Sequence, residues 1–134
     1  MVPDPTAAMG PRRRILVVDD NLDGAESLAM MLRLLNNEVH TAHDGVEAVH
    51  TAETFRPHII FMDLGMPRLN GYDATQRIRQ QPWGRHMAII ALTGWGHEMD
   101  RARSQEAGCN GHLVKPVSLP DLQRMLASVQ SARD

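Results

Sequence analysis

The stretch RILVVDDNLDG, Arg14 to Gly24, sets a short apolar run directly against a cluster of acids. Two readings compete for it. From Asp19 onward, an acid, Asn21, Asp23 and Gly24 match the opening of a helix-loop-helix calcium loop. Such a loop needs a bidentate carboxylate at its twelfth position, which here is Met30, and a thioether offers a hard cation no oxygen. The loop must also follow a helix. Residues 15–18 are instead apolar, largely β-branched and stopped by acids, the pattern of a buried strand. The alternative is an α/β protein in which Asp19 and Asp20 stand at the carboxyl end of a parallel strand, where such folds bind ligands.

The rest of the chain supports that alternative. Strand-like runs over 15–18, 38–42, 58–62, 87–92 and 111–114 alternate with helix-like segments over 22–35, 45–55, 72–80, 97–107 and 119–129. In the first helix Leu28, Met31, Leu32 and Leu35 share a face; in the second, Val46, Val49 and Ala52 do. Breakers separate the elements: Asn36-Asn37, Asp44-Gly45, Pro57, Asn70-Gly71, Pro82, Gly108 and Pro116. Strict alternation predicts a five-stranded parallel sheet with helices on both faces. The polar residues that would be odd in its core, Asp19, Asp20, Asp63, Thr93 and Lys115, all fall at the carboxyl edge of the predicted sheet.

Composition narrows the class. A chain of 134 residues with 43% apolar content forms one domain with a single core. Residues 1–12, rich in proline and small residues, read as a flexible tail, leaving residues 13–131 as the domain. No apolar run is long enough to span a bilayer, and the run after Arg12–Arg14 is too short for an export signal. Cys109 is the single cysteine, which suits a reducing, cytoplasmic setting. The net charge of −2 becomes −4 once residues 1–14 are set aside, which argues against nucleic-acid binding as the main activity. Of 14 cationic residues only Lys115 is a lysine, as expected where a compact ammonium is required.

Three crowded carboxylates repel, by about 4 kcal/mol per pair at 4 Å and an effective dielectric near 20. They call for a cation, and hard oxygen ligands with room for water suit Mg²⁺ better than Ca²⁺. An isolated carboxylate such as Asp63 can attack a phosphoryl group to give an acyl phosphate. Lys115 and a metal would neutralise phosphoryl oxygens, Thr93 would donate to another, and Gly94 would leave space. In that order and spacing, ILVVDDN, DGVEAV, IIFMDLGMPRLNGYDATQRIR, IIALTG and EAGCNGHLVKPV resemble the receiver domain of two-component response regulators, from about Arg13 to Val129.

The resemblance implies a flavodoxin-like receiver fold of strand order 2-1-3-4-5. It implies Asp63 as phosphoacceptor. Asp20, Asp63 and the Gly65 carbonyl would hold Mg²⁺, with Asp19 acting through water. Thr93 and His112 would be the switch residues, and Lys115, followed by a cis bond to Pro116, the phosphoryl partner. It also implies a sensor histidine kinase or histidine phosphotransfer protein as donor, and a downstream protein docking on the face formed by the last strand and the last two helices. On this resemblance the chain would catalyse only its own phosphorylation and dephosphorylation, and it is expected to act through docking or as a fragment of a larger protein, with no output domain of its own. ALTGWG and HLVKPV are similar to receivers attached to hybrid histidine kinases.

Some positions depart from the family pattern. His112 stands where the family usually has Tyr or Phe, and an imidazole titrates near neutral pH. Gly65 and Trp95 occupy positions that tune acyl-phosphate hydrolysis, and Val117 replaces an aromatic that often follows Lys-Pro. Two rivals are an aspartyl-phosphate phosphatase and a degenerate receiver that binds partners without phosphorylation. The phosphatase pattern puts an Asp-x-Asp pair on the first strand, whereas here the acids are adjacent; the degenerate form would lack chemical residues that are all present here.

Overall fold

The computed structural model describes residues 12–64, 66, 69–94 and 98–133. Gly65, Trp95 and all of the expected tail except Arg12 lie outside them. Five parallel strands form one sheet in the order β2-β1-β3-β4-β5. They are β1 (Arg14–Val18), β2 (Glu38–Ala42), β3 (Ile59–Asp63), β4 (Ala88–Thr93) and β5 (Gly111–Val114). The helices are α1 (Leu22–Leu34), α2 (Gly45–Phe55), α3 (Gly71–Gln80), α4 (Glu98–Ala107) and α5 (Leu119–Arg133), with a 3₁₀ turn at Pro82–Gly84.

The alternation of strand side chains builds two cores. Ile15, Val17, Ile59 and Phe61 point to one face and pack with Leu28 and Leu32 of α1 and Leu122 of α5. Leu16, Val18, Ile60 and Met62 point to the other and pack with Ala48 and Ala52 of α2, Ala74 and Ile78 of α3 and Ala107 of α4. A strand covered on both faces reads as an unbroken apolar run, which is why β1 and β3 were legible. Register places Val18 beside Met62, so β1 and β3 end side by side.

Two strands end one residue later than the sequence pattern suggests. Asp63 pairs with Leu92, and Thr93 with Val114, inside the ladder. A polar side chain does not stop a strand whose backbone still has a partner. The 3₁₀ turn was not foreseen; Pro82 read only as a breaker, yet proline suits the first position of a helical turn. Residues read as loop punctuation turn out to be caps. Asn21 accepts from the Gly24 amide (3.0 Å), Asp44 from Glu47 (2.8 Å) and Asn70 from Asp73 (3.0 Å). In the opening stretch, Asn21 therefore caps α1 and Asp23 lies in its first turn, where the helix dipole favours an acid.

The segment after β3 is held against two helix starts. A Cβ on Gly45 would press into the Leu69 carbonyl group, 2.6 Å from its carbon. One on Gly71 would overlap the Asp63 carbonyl oxygen and lie 2.7 Å from Leu64 Cα. Because backbone would have to yield, Gly71→Ala should cost about 2 kcal/mol and displace the end of β3. Urea unfolding reads the loss; an unchanged midpoint would mean that the close approach is not a constraint.

Candidate functional site

The edge where β1, β3 and β4 end gathers the site. The Asp19 amide donates to Ala42 O (3.0 Å), which holds Asp19 at the end of the β1–β2 pair. Its buried carboxylate accepts from the Asn21 amide at 3.0 Å through Oδ1 and lies 3.4 Å from Lys115 Nζ through Oδ2. Asp63, the last residue of β3, is buried and also lies 3.4 Å from Lys115 Nζ. Asp20 projects from the turn and is exposed. One carboxylate oxygen from each of Asp19, Asp20 and Asp63 lies within 4.8 Å of the others. That spacing fits a single hard cation, bound directly or through water.

Lys115 is placed by backbone. Its amide donates to Thr93 O (2.7 Å), and the Lys115–Pro116 peptide is cis, as the resemblance implied. Burial by itself would lower the Lys115 pKa, but attraction to Asp63 and then Asp19, with hydrogen bonds to both, outweighs it and raises the pKa. The side chain is therefore an ammonium at neutral pH. The stability it contributes is present below the usual lysine pKa and fades only as pH climbs through the raised value.

Thr93 ends β4 with its hydroxyl buried and without a hydrogen-bond partner, the one such side-chain atom among the described residues. Orphaned buried hydroxyls are rare, and one aimed into a polar cleft is a donor waiting for an acceptor. That cleft, about 470 Å³, is lined by Asp20, Asp63, Thr93, Lys115, Tyr72 and Arg103, among others. Gly94 sits at its lining, and a Cβ there would meet nothing within 4 Å, which leaves open space as expected.

The structure thus brings Asp19, Asp20, Asp63, Thr93 and Lys115 together. It does not bring His112 into the acidic cleft. His112 is half-buried on the edge strand β5 and lines a separate groove of about 360 Å³ with Asp121, Arg124 and Met125 of α5. Tyr72 and Arg103 escaped sequence reasoning. Arg103 Cζ lies 4.1 Å from the centroid of the Tyr72 ring, but α3 and α4 meet only in the folded chain, and neither residue carries a local signal of the other.

Among the described residues, Asp20 makes no ion pair, whereas Asp19 and Asp63 share Lys115. Asp20→Asn should therefore relieve repulsion at little cost and raise metal-free stability by about 0.5 kcal/mol, less in high salt. Urea unfolding in chelator tests this. A destabilised variant would show that the carboxylate serves as a structural acceptor instead.

Comparison with known proteins agrees with this geometry. The profile of the response regulator receiver domain matches residues 15–127. The receiver domain of sensor histidine kinase PA1611 from Pseudomonas aeruginosa PAO1, solved with a magnesium ion in its active-site cleft, is 41% identical. It superposes with a TM-score of 0.81 over 88% of this chain and 97% of that one. The Saccharomyces cerevisiae receiver domain of Ssk1, solved bound to the phosphotransfer protein Ypd1, is 30% identical with a TM-score of 0.85, over 92% of each chain. A probable transcriptional regulator, ycf27, of Cyanophora paradoxa is 34% identical over 88% of this chain, which spans 48% of that regulator's length. The chain belongs to the response regulator receiver domain family. It is a receiver domain of two-component signalling, built on the parallel 2-1-3-4-5 sheet. Among the described residues no helix is long and apolar enough to cross a membrane.

Proposed function

We propose that this receiver accepts a phosphoryl group on Asp63. The observation that carries the reading is the buried, unpartnered Thr93 hydroxyl in the cleft that also holds Asp63 and Lys115. An Asp63 carboxylate oxygen forms the new bond to phosphorus, and the bond from phosphorus to the donor's leaving atom breaks with its electron pair. With acetyl phosphate the products are the Asp63 acyl phosphate and acetate. Lys115 lies 3.4 Å from Asp63 and supplies a positive charge to the phosphoryl oxygens, while Thr93 donates its hydroxyl. Asp20 and Asp63, with the Gly65 carbonyl, would hold Mg²⁺, and Asp19 would reach it through water. When bound, Mg²⁺ offsets negative charge on the carboxylates and the transferring group. The chain catalyses only this transfer and the hydrolysis that reverses its effect, so it serves as a signalling element rather than a metabolic enzyme.

The donor class is a sensor histidine kinase or a histidine phosphotransfer protein, supported by the Ypd1 complex of the Ssk1 receiver. Leu22, at the start of α1 beside the acids, is 62% exposed and offers a donor an apolar contact. A downstream partner would dock on the face formed by α4, β5 and α5, where His112 lies, and no direct nucleic-acid contact is expected. The test is incubation with acetyl phosphate and Mg²⁺, followed by intact mass and peptide mapping. A gain of one phosphoryl group on the Asp63 peptide is expected. No gain with any donor would favour a receiver that binds partners without phosphorylation.

A further inference from the structure

We infer that Arg103 is a second cation for the phosphoryl group, one that favours dianionic over monoanionic phosphodonors; the inference rests on the phosphoacceptor reading of Asp63. Arg103 lines the same cleft as Asp63, Thr93 and Lys115. Its guanidinium carbon stands 4.1 Å from the centre of the Tyr72 ring, and Tyr72 lines that cleft too. Contact with the aromatic ring holds an otherwise exposed guanidinium near the cleft without consuming its charge. Among the described residues, no carboxylate forms an ion pair with Arg103. Its N–H donors are not committed to an acid.

Charge bookkeeping gives this cation a role. With Asp63 converted to a neutral acyl group, the site holds the charges of Asp19 and Asp20, whose carboxylates lie within 4.8 Å of that of Asp63, and a phosphoryl dianion. Lys115 and one divalent cation leave a single negative charge uncompensated. Arg103 is the remaining described cation lining the cleft, and it balances that charge. A guanidinium also matches phosphoryl oxygens with a fork of donors that a lysine lacks. The same attraction acts on the incoming donor, more strongly on a dianion than on a monoanion.

The experiment compares acetyl phosphate, a dianion at neutral pH, with phosphoramidate, a monoanion whose leaving group is ammonia. Phosphorylation rates are measured for the parent, Arg103→Ala and Arg103→Lys, with Mg²⁺ and at low and high salt. Arg103→Ala should lose about tenfold with acetyl phosphate and about threefold with phosphoramidate, the gap closing in high salt. Arg103→Lys should recover most of the difference between donors. An independent readout is the NMR shift of the Arg103 Nε–H, which should move on phosphorylation of the parent. Equal losses with both donors, no loss, or an unmoved Nε–H signal would overturn the inference while leaving Asp63 as the acceptor. A parent that takes up no phosphoryl group overturns the acceptor reading and this inference with it.

Discussion

Asp63→Asn should take up no phosphoryl group under conditions in which the parent gains one. The amide keeps the shape of the carboxylate but has no anionic oxygen to attack phosphorus. Its fold should survive. Asp63 contributes to the β3–β4 ladder through its backbone, which the substitution leaves alone. Lys115 loses one partner at 3.4 Å but keeps Asp19 at the same distance. The lost ion pair and the relieved repulsion among carboxylates oppose each other, so metal-free stability should shift by less than about 1 kcal/mol. The response to Mg²⁺ should change more. A metal that binds only the folded parent stabilises it by about 1.4 kcal/mol at a free concentration tenfold above its Kd. Losing one of three clustered carboxylates should remove most of that gain. Intact mass and thermal unfolding with and without Mg²⁺ check both statements. If the variant is phosphorylated at the parent's rate with the mass mapped elsewhere, Asp63 is not the acceptor.

Arg79→Met should lower stability by about 3 kcal/mol, a large share of the 5–15 kcal/mol typical of a domain. Arg79, near the end of α3, donates to the carbonyls of Gly108 (2.9 Å), Gly84 (2.8 Å) and Met87 (2.7 Å), and to the Asn110 side chain (2.7 Å). The same Asn110 oxygen accepts from the Ile89 amide at 2.8 Å. One guanidinium therefore ties α3 to the 3₁₀ turn, to the entry of β4 and to the turn before β5. Methionine fills similar volume but leaves these acceptors without a donor, and each orphaned group costs about 1–3 kcal/mol where water cannot reach it. Burial lowers the Arg79 pKa, with nearby Cys109 opposing. Arg79→Lys should retain part of the stability, since an ammonium cannot reach acceptors spread this widely. Urea unfolding of both variants gives the values. A loss under 1 kcal/mol for Arg79→Met would mean that water replaces the guanidinium.

The sequence by itself determined the architecture and five of the residues that gather at the carboxyl edge of the sheet. Parallel strands buried on both faces must be continuously apolar, so β1 and β3 announce themselves, and their runs end where function begins. Asp19, Asp20, Asp63 and Thr93 were legible because each follows or closes such a run, and Lys115 because it is the single lysine, set just after the last strand. The turn residues were legible as boundaries, though not as the caps that Asn21, Asp44 and Asn70 prove to be.

Only the tertiary structure decided the rest. Arg79 binds Gly108 and Asn110 across separations of 29 and 31 residues, and Arg103 meets Tyr72 only because α3 and α4 lie side by side. Gly71 looked like ordinary turn punctuation, yet its missing Cβ is what lets α3 start against the backbone of Asp63. That His112, expected as a switch residue, shares a groove with Asp121, Arg124 and Met125 of α5 is likewise visible only in the folded chain. Local sequence records burial and capping because those forces act within a few residues. Partners brought together by packing leave no such periodic trace, since any side chain of suitable size and charge at that point of the fold would serve.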